Sequence, residues 1–243
     1  MSNAATTPDS GATTATIITL IRHGESEVTV DRVIGGVRTC RGLSPLGRQQ
    51  AEALRDRLIT HDELHADVLI SSDFPRAIET AEIIRPGFGE RIGGGDIEQL
   101  ADFGEHDPGP RIDGMSFEAY VEEFGTPEWS GDPDVEIFPG GETTRRFHER
   151  VGRGLVELER RFAGRHVVVA CHGGVVDAVF RTLLGLAITG GFDLHTLNTA
   201  ITTFERPADS PERWRLSRYN DTGHLVGLPA ATERRGTRPD TSA

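Results

Sequence analysis

The chain contains no lysine: its 26 basic residues are all arginine, set against 38 acidic ones. Schiff-base chemistry, a pyridoxal-phosphate lysine and a phosphate-loop lysine are therefore excluded together. The bias is of the kind that a G+C-rich coding sequence leaves, and no function is drawn from it. Only two cysteines occur, Cys40 and Cys171, too few for a disulfide framework and without the Cys/His spacing of a zinc site. No metal and no cofactor are expected. Positive charge is in deficit overall, with a formal net charge of −12, which disfavours a nucleic-acid partner and confines any positive potential to a local pocket. Long apolar runs are missing too. The stretch Ile17 to Ile21 is far too short to span a membrane, and no basic residue before Arg22 supplies a signal-peptide head. A cytoplasmic enzyme with no membrane partner is the resulting expectation. At 243 residues the chain can bury one sizeable core, expected over residues 16–229, with tails at 1–15 and 230–243.

What is present is a pattern that occurs twice. Leu20-Ile21-Arg22-His23-Gly24-Glu25-Ser26 is an apolar strand ending in a histidine and a glycine turn, and Val167-Val168-Val169-Ala170-Cys171-His172-Gly173-Gly174 is its second copy. Open α/β sheets place their sites at the carboxyl ends of strands, so two parallel neighbours would bring both histidines to one pocket. A third element follows Val68-Leu69-Ile70. There Ser71-Ser72-Asp73-Phe74-Pro75-Arg76 opens a helix with an apolar stripe of Ala77, Ile78, Ala81 and Ile84. Arg76 then sits near a helix amino terminus, where free N–H groups favour an anion. Two histidines at strand ends, facing one pocket, suggest histidine chemistry on a phosphate.

These motifs, joined in order by Gly42-Leu43-Ser44-Pro45-Leu46-Gly47-Arg48 and Pro139-Gly140-Gly141-Glu142, resemble the histidine phosphatase superfamily, the phosphoglycerate-mutase-like group, over roughly residues 16–220. The resemblance implies that His23 is the nucleophile, becoming a phosphohistidine, and that Arg22, Arg76 and His172 hold the phosphoryl oxygens. Flanking cations keep an imidazole neutral, and guanidinium forks match phosphoryl oxygens in pairs. Gly24, Ser26, Thr29, Arg41 and Gly173 are expected around the substrate. Thr29 stands where many relatives carry an asparagine, and Arg41 belongs to a glycine- and arginine-rich loop, 32–42, that could rim the pocket.

One position departs from the family. A glutamate four residues before a glycine usually protonates the leaving oxygen, and with Gly104 as that glycine the position holds Leu100. Leucine has no proton to give. Glu98, Asp102, Glu105 and Asp107 are nearby replacements, with Glu105 the tentative acid and Asp102 its rival. Loss of general acid catalysis costs about a hundredfold to ten-thousandfold, mostly on esters with poor leaving groups.

The implied fold is a three-layer α/β/α sandwich with a mostly parallel sheet and an inserted lid at about 86–141, a stretch rich in proline and glycine. Predicted strands are 16–21, 67–71, the run from Val167 that ends at His172, 200–205 and 214–219. Predicted helices start at Ser44-Pro45, at Pro75, near Ser116, at Thr143 and near Val175. Aromatics of the insertion, Phe103, Phe117, Tyr120, Trp129 and Phe138, suit packing better than ligand stacking. Three functions stay open: a phosphatase of a small phosphorylated metabolite, a mutase, and a protein that binds a phosphorylated partner or runs altered chemistry in a retained phosphate pocket. A homodimer is also left open.

Overall fold

The computed structural model describes residues 14–231; apart from residues 14–15 and 230–231, the tails expected from the sequence lie outside the described residues. The sheet has six strands, β1 (Thr16–Arg22), β2 (Val68–Ser71), β3 (Glu98–Gln99), β4 (His166–Cys171), β5 (Ile201–Arg206) and β6 (Arg215–Asp221), in the order β3-β2-β4-β1-β5-β6. Strands β3, β2, β4 and β1 run parallel; β5 pairs antiparallel with β1, and β6 pairs antiparallel with β5.

Side-chain alternation along the strands divides the core in two. Ile18 and Leu20 of β1 and Val167, Val169 and Cys171 of β4 face α6 (Thr144–Arg161) and α7 (Gly173–Leu184). Ile21 of β1 and Val168 and Ala170 of β4 face α2 (Pro45–His61) and α3 (Pro75–Ile84). Helices therefore cover both faces, as expected of the three-layer sandwich. Both strands are apolar on successive residues because neither face meets water.

Local signals set the helix starts. Ser44 caps α2 by accepting from the Gly47 N–H, with Pro45 at the first helical position and Ala51, Leu54 and Leu58 buried beneath. Thr143 caps α6 and Ser116 caps α5 (Phe117–Phe124) in the same way. The one-turn α1 (Glu27–Val30) and α4 (Gly109–Ile112) and the two-residue β3 carry no sequence periodicity to announce them. Residues 86–141 hold a small apolar cluster of their own, Ile112, Tyr120 and Phe138, joined by Ile34 from the loop after α1. Backbone bonds between Ile34 and Met115 and between Phe117 and Arg32 tie that loop to the insertion.

Candidate active site

The pairing register brings the two histidine motifs together. In the parallel β1–β4 pair Arg22 lies opposite Cys171, so the next residues, His23 and His172, leave the sheet side by side. In β2–β4 Ser71 lies opposite Ala170, and the Ser72 N–H bonds to the Ala170 carbonyl at 2.9 Å, bringing Ser72 beside His172. Parity does the rest. Arg22 and Cys171 point to the α7 face, so His23 and His172 point to the α3 face, where Arg76 stands in the first turn.

His23 is buried, and its two ring nitrogens have one-sided partners. Nδ1 lies 2.6 Å from the Gly24 carbonyl, which can only accept, and Nε2 lies 3.1 Å from Arg76 Nε, which can only donate. Together they define one tautomer, with the proton on Nδ1 and the lone pair on Nε2. Burial, then Arg76, then Arg22 hold its pKa well below the usual histidine value. His172 is fully buried, with its ring centroid 5.0 Å from that of His23, and its Nε2 pairs with Ser72 Oγ at 2.8 Å. Burial and then Arg76 lower its pKa as well. Arg76 also donates to the Gly35 carbonyl at 3.3 Å and stacks 4.6 Å over the Phe74 ring. Arg22 donates to the Thr196 carbonyl, and a Cβ on Gly173 would lie 3.6 Å from its Nε.

Gly24 and Gly47 meet backbone to backbone, since a Cβ on Gly24 would collide with the Gly47 carbonyl oxygen. Glu25 reinforces the joint: its N–H donates to Gln50 Oε1 at 2.8 Å and its Oε1 accepts from Ser44 Oγ at 2.8 Å. Ser26 and Thr29 are bonded to each other through their hydroxyls at 2.9 Å.

Arg41 is placed elsewhere. Its guanidinium pairs with Asp31 and, at 3.5 Å, with Glu27, and it does not line the large cavity beside the site. Two acidic side chains close in sequence hold it at the surface. The candidate acids also separate. Leu100 packs against the main core, Glu98 pairs with Arg161, and Asp102 faces α6, 4.0 Å from Arg153. Glu105 instead lines the cavity, with Oε2 accepting the Gly174 N–H at 3.2 Å in the first turn of α7. That cavity, of about 950 Å³, also has Gly35, Trp129 and Phe138 in its wall, while Phe103 is core and Tyr120 packs within the insertion.

Two groups of polar residues were not anticipated. Asn198 Nδ2 donates to the His23 carbonyl at 3.1 Å, and the Thr199 N–H donates to the Arg22 carbonyl at 2.9 Å, with Thr199 in the left-handed region at φ 52°. Because β5 is antiparallel, its amino end meets the carboxyl ends of β1 and β4; a polar Asn-Thr pair just before a β-branched run was the available signal. Arg150 is the second. Its guanidinium donates to the carbonyls of Ala101, Asp102, Gly104 and Glu105 and pairs with Glu142 of the Pro-Gly-Gly-Glu motif at 2.8 Å. It tacks down the segment that carries Glu105. Among the described residues no group of three or more His, Cys, Asp or Glu is arranged to hold a metal ion.

Comparison with known proteins agrees with this geometry. The chain is 26% identical over 213 residues, 88% of its length and 98% of the relative's, to a protein of Bacillus subtilis named uncharacterized phosphatase PhoE. It is 29% identical over 214 residues, 86% of each chain, to phosphoglycerate mutase-like protein 4 of Arabidopsis thaliana. Among solved structures it resembles a mutant phosphoserine phosphatase of Entamoeba histolytica in complex with phosphoserine, at a TM-score of 0.67 and 25% identity, covering 86% of this chain and 99% of that one. The family model of the histidine phosphatase superfamily, branch 1, matches residues 18–222, and the chain, with its paired strand-end histidines, belongs to that superfamily.

Proposed function

We propose that this phosphoric monoester hydrolase works without a metal, through a phosphohistidine on His23 Nε2, on a small-molecule phosphomonoester. The observation that carries the reading is the tautomer of His23: the Gly24 carbonyl and the Arg76 N–H leave the lone pair on the nitrogen that faces Arg76. A nucleophile must be unprotonated at neutral pH, and burial beside two guanidinium groups secures that.

In the first step the phosphoryl oxygens draw Arg76 away from Nε2, and Nε2 attacks phosphorus in line with the ester oxygen. The N–P bond forms as the P–O bond breaks, and the leaving oxygen takes a proton. Glu105, at the amino end of α7 and facing the cavity, is the group placed to give it, in the stead of Leu100. Arg22, Arg76 and His172 neutralise charge on the three equatorial oxygens, which is most of what phosphoryl transfer asks of a protein. Water then attacks the phosphohistidine, with Glu105 returning as base, and releases inorganic phosphate.

The test is phosphate release from p-nitrophenyl phosphate and a panel of alkyl phosphates, with and without a chelator, comparing the wild type with His23→Ala. Rapid acid-free quenching with labelled substrate should trap a base-stable, acid-labile phosphoryl group on the wild type only. Turnover that survives in His23→Ala would overturn the reading.

A further inference from the structure

The wall of the large cavity is chemically one-sided. Leaving Glu105 to its role as acid, three more carboxylates face the space, Glu128, Asp177 and Asp193, from the insertion, from α7 and from the segment that follows α7. Among the described residues the one guanidinium in the wall is Arg181, and it is spent: it donates to Asp177 at 2.6 Å and to the carbonyls of Ala187 and Phe192. Asp177 has its pKa raised, first by burial and also by Asp193 and Glu105 across the space, so the carboxylates repel one another. The positive charge of Arg22 and Arg76 belongs to the phosphate end.

A second feature points to a ligand independently of these charges. His106 lines the same cavity and is 8% exposed, yet neither ring nitrogen has a hydrogen-bond partner among the described residues. A buried imidazole without partners is costly, and a ligand group in the cavity is the partner on offer. Burial holds its pKa below the ordinary histidine value, so it is neutral and presents a lone pair as well as an N–H. Around it stand Trp129, Phe138 and Phe147, with ring centroids 5.3, 5.9 and 5.8 Å from its own. Carboxylates, a neutral imidazole acceptor and aromatic faces make a lining suited to a protonated amine.

The geometry points to a substrate whose leaving alcohol carries a positively charged amine: the phosphate seats at His23, and the amine reaches along Glu105 into the cavity, where its N–H donates a hydrogen bond to His106. This rests on the phosphatase reading and narrows it. A leaving group bearing a carboxylate meets like charge at Glu128 and Asp193, Asp177 being paired with Arg181, and is selected against, which disfavours a phosphoglycerate or a sugar-acid phosphate.

The experiment measures kcat/KM for matched esters differing in one group: O-phosphoethanolamine, ethylene glycol monophosphate and phosphoglycolate, then glucosamine 6-phosphate, glucose 6-phosphate and 6-phosphogluconate. p-Nitrophenyl phosphate is assayed alongside. The amine ester should exceed its neutral partner by roughly tenfold or more, the scale of one desolvated cation–aromatic contact, and the carboxylate ester should be the poorest. His106→Phe and, on a different segment, Asp193→Asn should each pull the amine-to-neutral ratio toward one. Equal or reversed ratios in the wild type, with p-nitrophenyl phosphate still hydrolysed in a His23-dependent way, would overturn the amine proposal and leave the phosphatase reading standing. A ratio unmoved in both variants would also overturn it. No turnover of any ester would overturn both readings.

Discussion

Arg150→Ala is the substitution whose cost can be reasoned most directly from contacts. The guanidinium holds the Glu142 carboxylate through two bonds, of 3.0 and 2.8 Å, and four backbone carbonyls between Ala101 and Glu105. The two side chains are only 17% and 13% exposed. Truncation leaves a mostly buried carboxylate facing carbonyl oxygens, with the Asp107 N–H at 3.4 Å as its remaining donor. Breaking a buried pair in this way costs about 3–5 kcal/mol, and partial access of water here lowers the expectation to about 2–4 kcal/mol. Arg150→Lys keeps the charge but cannot fork to carbonyls and carboxylate together, so it should recover about half of the loss. The double variant Arg150→Ala with Glu142→Gln removes the stranded charge and should be more stable than Arg150→Ala alone, by about 1 kcal/mol. Urea unfolding with a shared m-value measures the wild type and these three variants together with Glu142→Gln alone. The same variants should lose more activity on alkyl phosphates than on p-nitrophenyl phosphate, because the freed segment carries Glu105. An Arg150→Ala protein within about 0.5 kcal/mol of wild type, or a double variant as unstable as the sum of the singles, would refute the reasoning.

Other outcomes follow from the same contacts. Glu105→Gln should slow phosphorylation by alkyl phosphates by about a hundredfold or more while leaving the p-nitrophenol burst from p-nitrophenyl phosphate intact, and Asp102→Asn should slow neither; equal effects of Glu105→Gln on both phosphorylation rates would remove Glu105 as the acid. Gly24→Ala forces a Cβ into the Gly47 carbonyl, so thermal unfolding should report about 1–3 kcal/mol of destabilisation and phosphate release should fall sharply. His148 and His166 are buried neutral, each with a pKa lowered to about 4, chiefly by burial. The unfolded chain binds those protons near pH 6.5, so their contribution to stability is complete above that pH and lost as pH falls toward 4, on the order of 3 kcal/mol for each. Denaturant midpoints measured from pH 8 to 4 should therefore fall below about 6.5, and a flat profile would contradict the assignment.

Much of this was legible in the chain because strand, histidine and glycine lie next to one another. An apolar β-branched run fixes burial on both faces, and the residue after it is at the sheet's carboxyl edge, so His23, His172 and Arg76 could be placed from local pattern alone. The parity that turns both histidines toward α3 needs the β1–β4 register, which no local pattern contains. Arg41 shows the opposite case: its loop reads as a rim, while the pairing of its guanidinium with Asp31 and Glu27 needs the folded backbone to be seen. Arg150 was hidden among the many arginines of α6, where a helical face rich in charge reads as solvated. Asn198 and Thr199 left only a weak signal, a polar pair before a β-branched run, because their value depends on β5 running antiparallel to its neighbours.

The bond from Asn198 to the His23 carbonyl joins residues 175 positions apart. A ribosome making this chain releases His23 early and Asn198 near the end, so the reactive imidazole has neither its backbone brace nor its β4 neighbour during most of synthesis. Such non-local pairing closes late and slowly. Nascent and C-terminally truncated chains should therefore be catalytically silent, and the gain of phosphatase activity can serve as a clock for completion of the sheet.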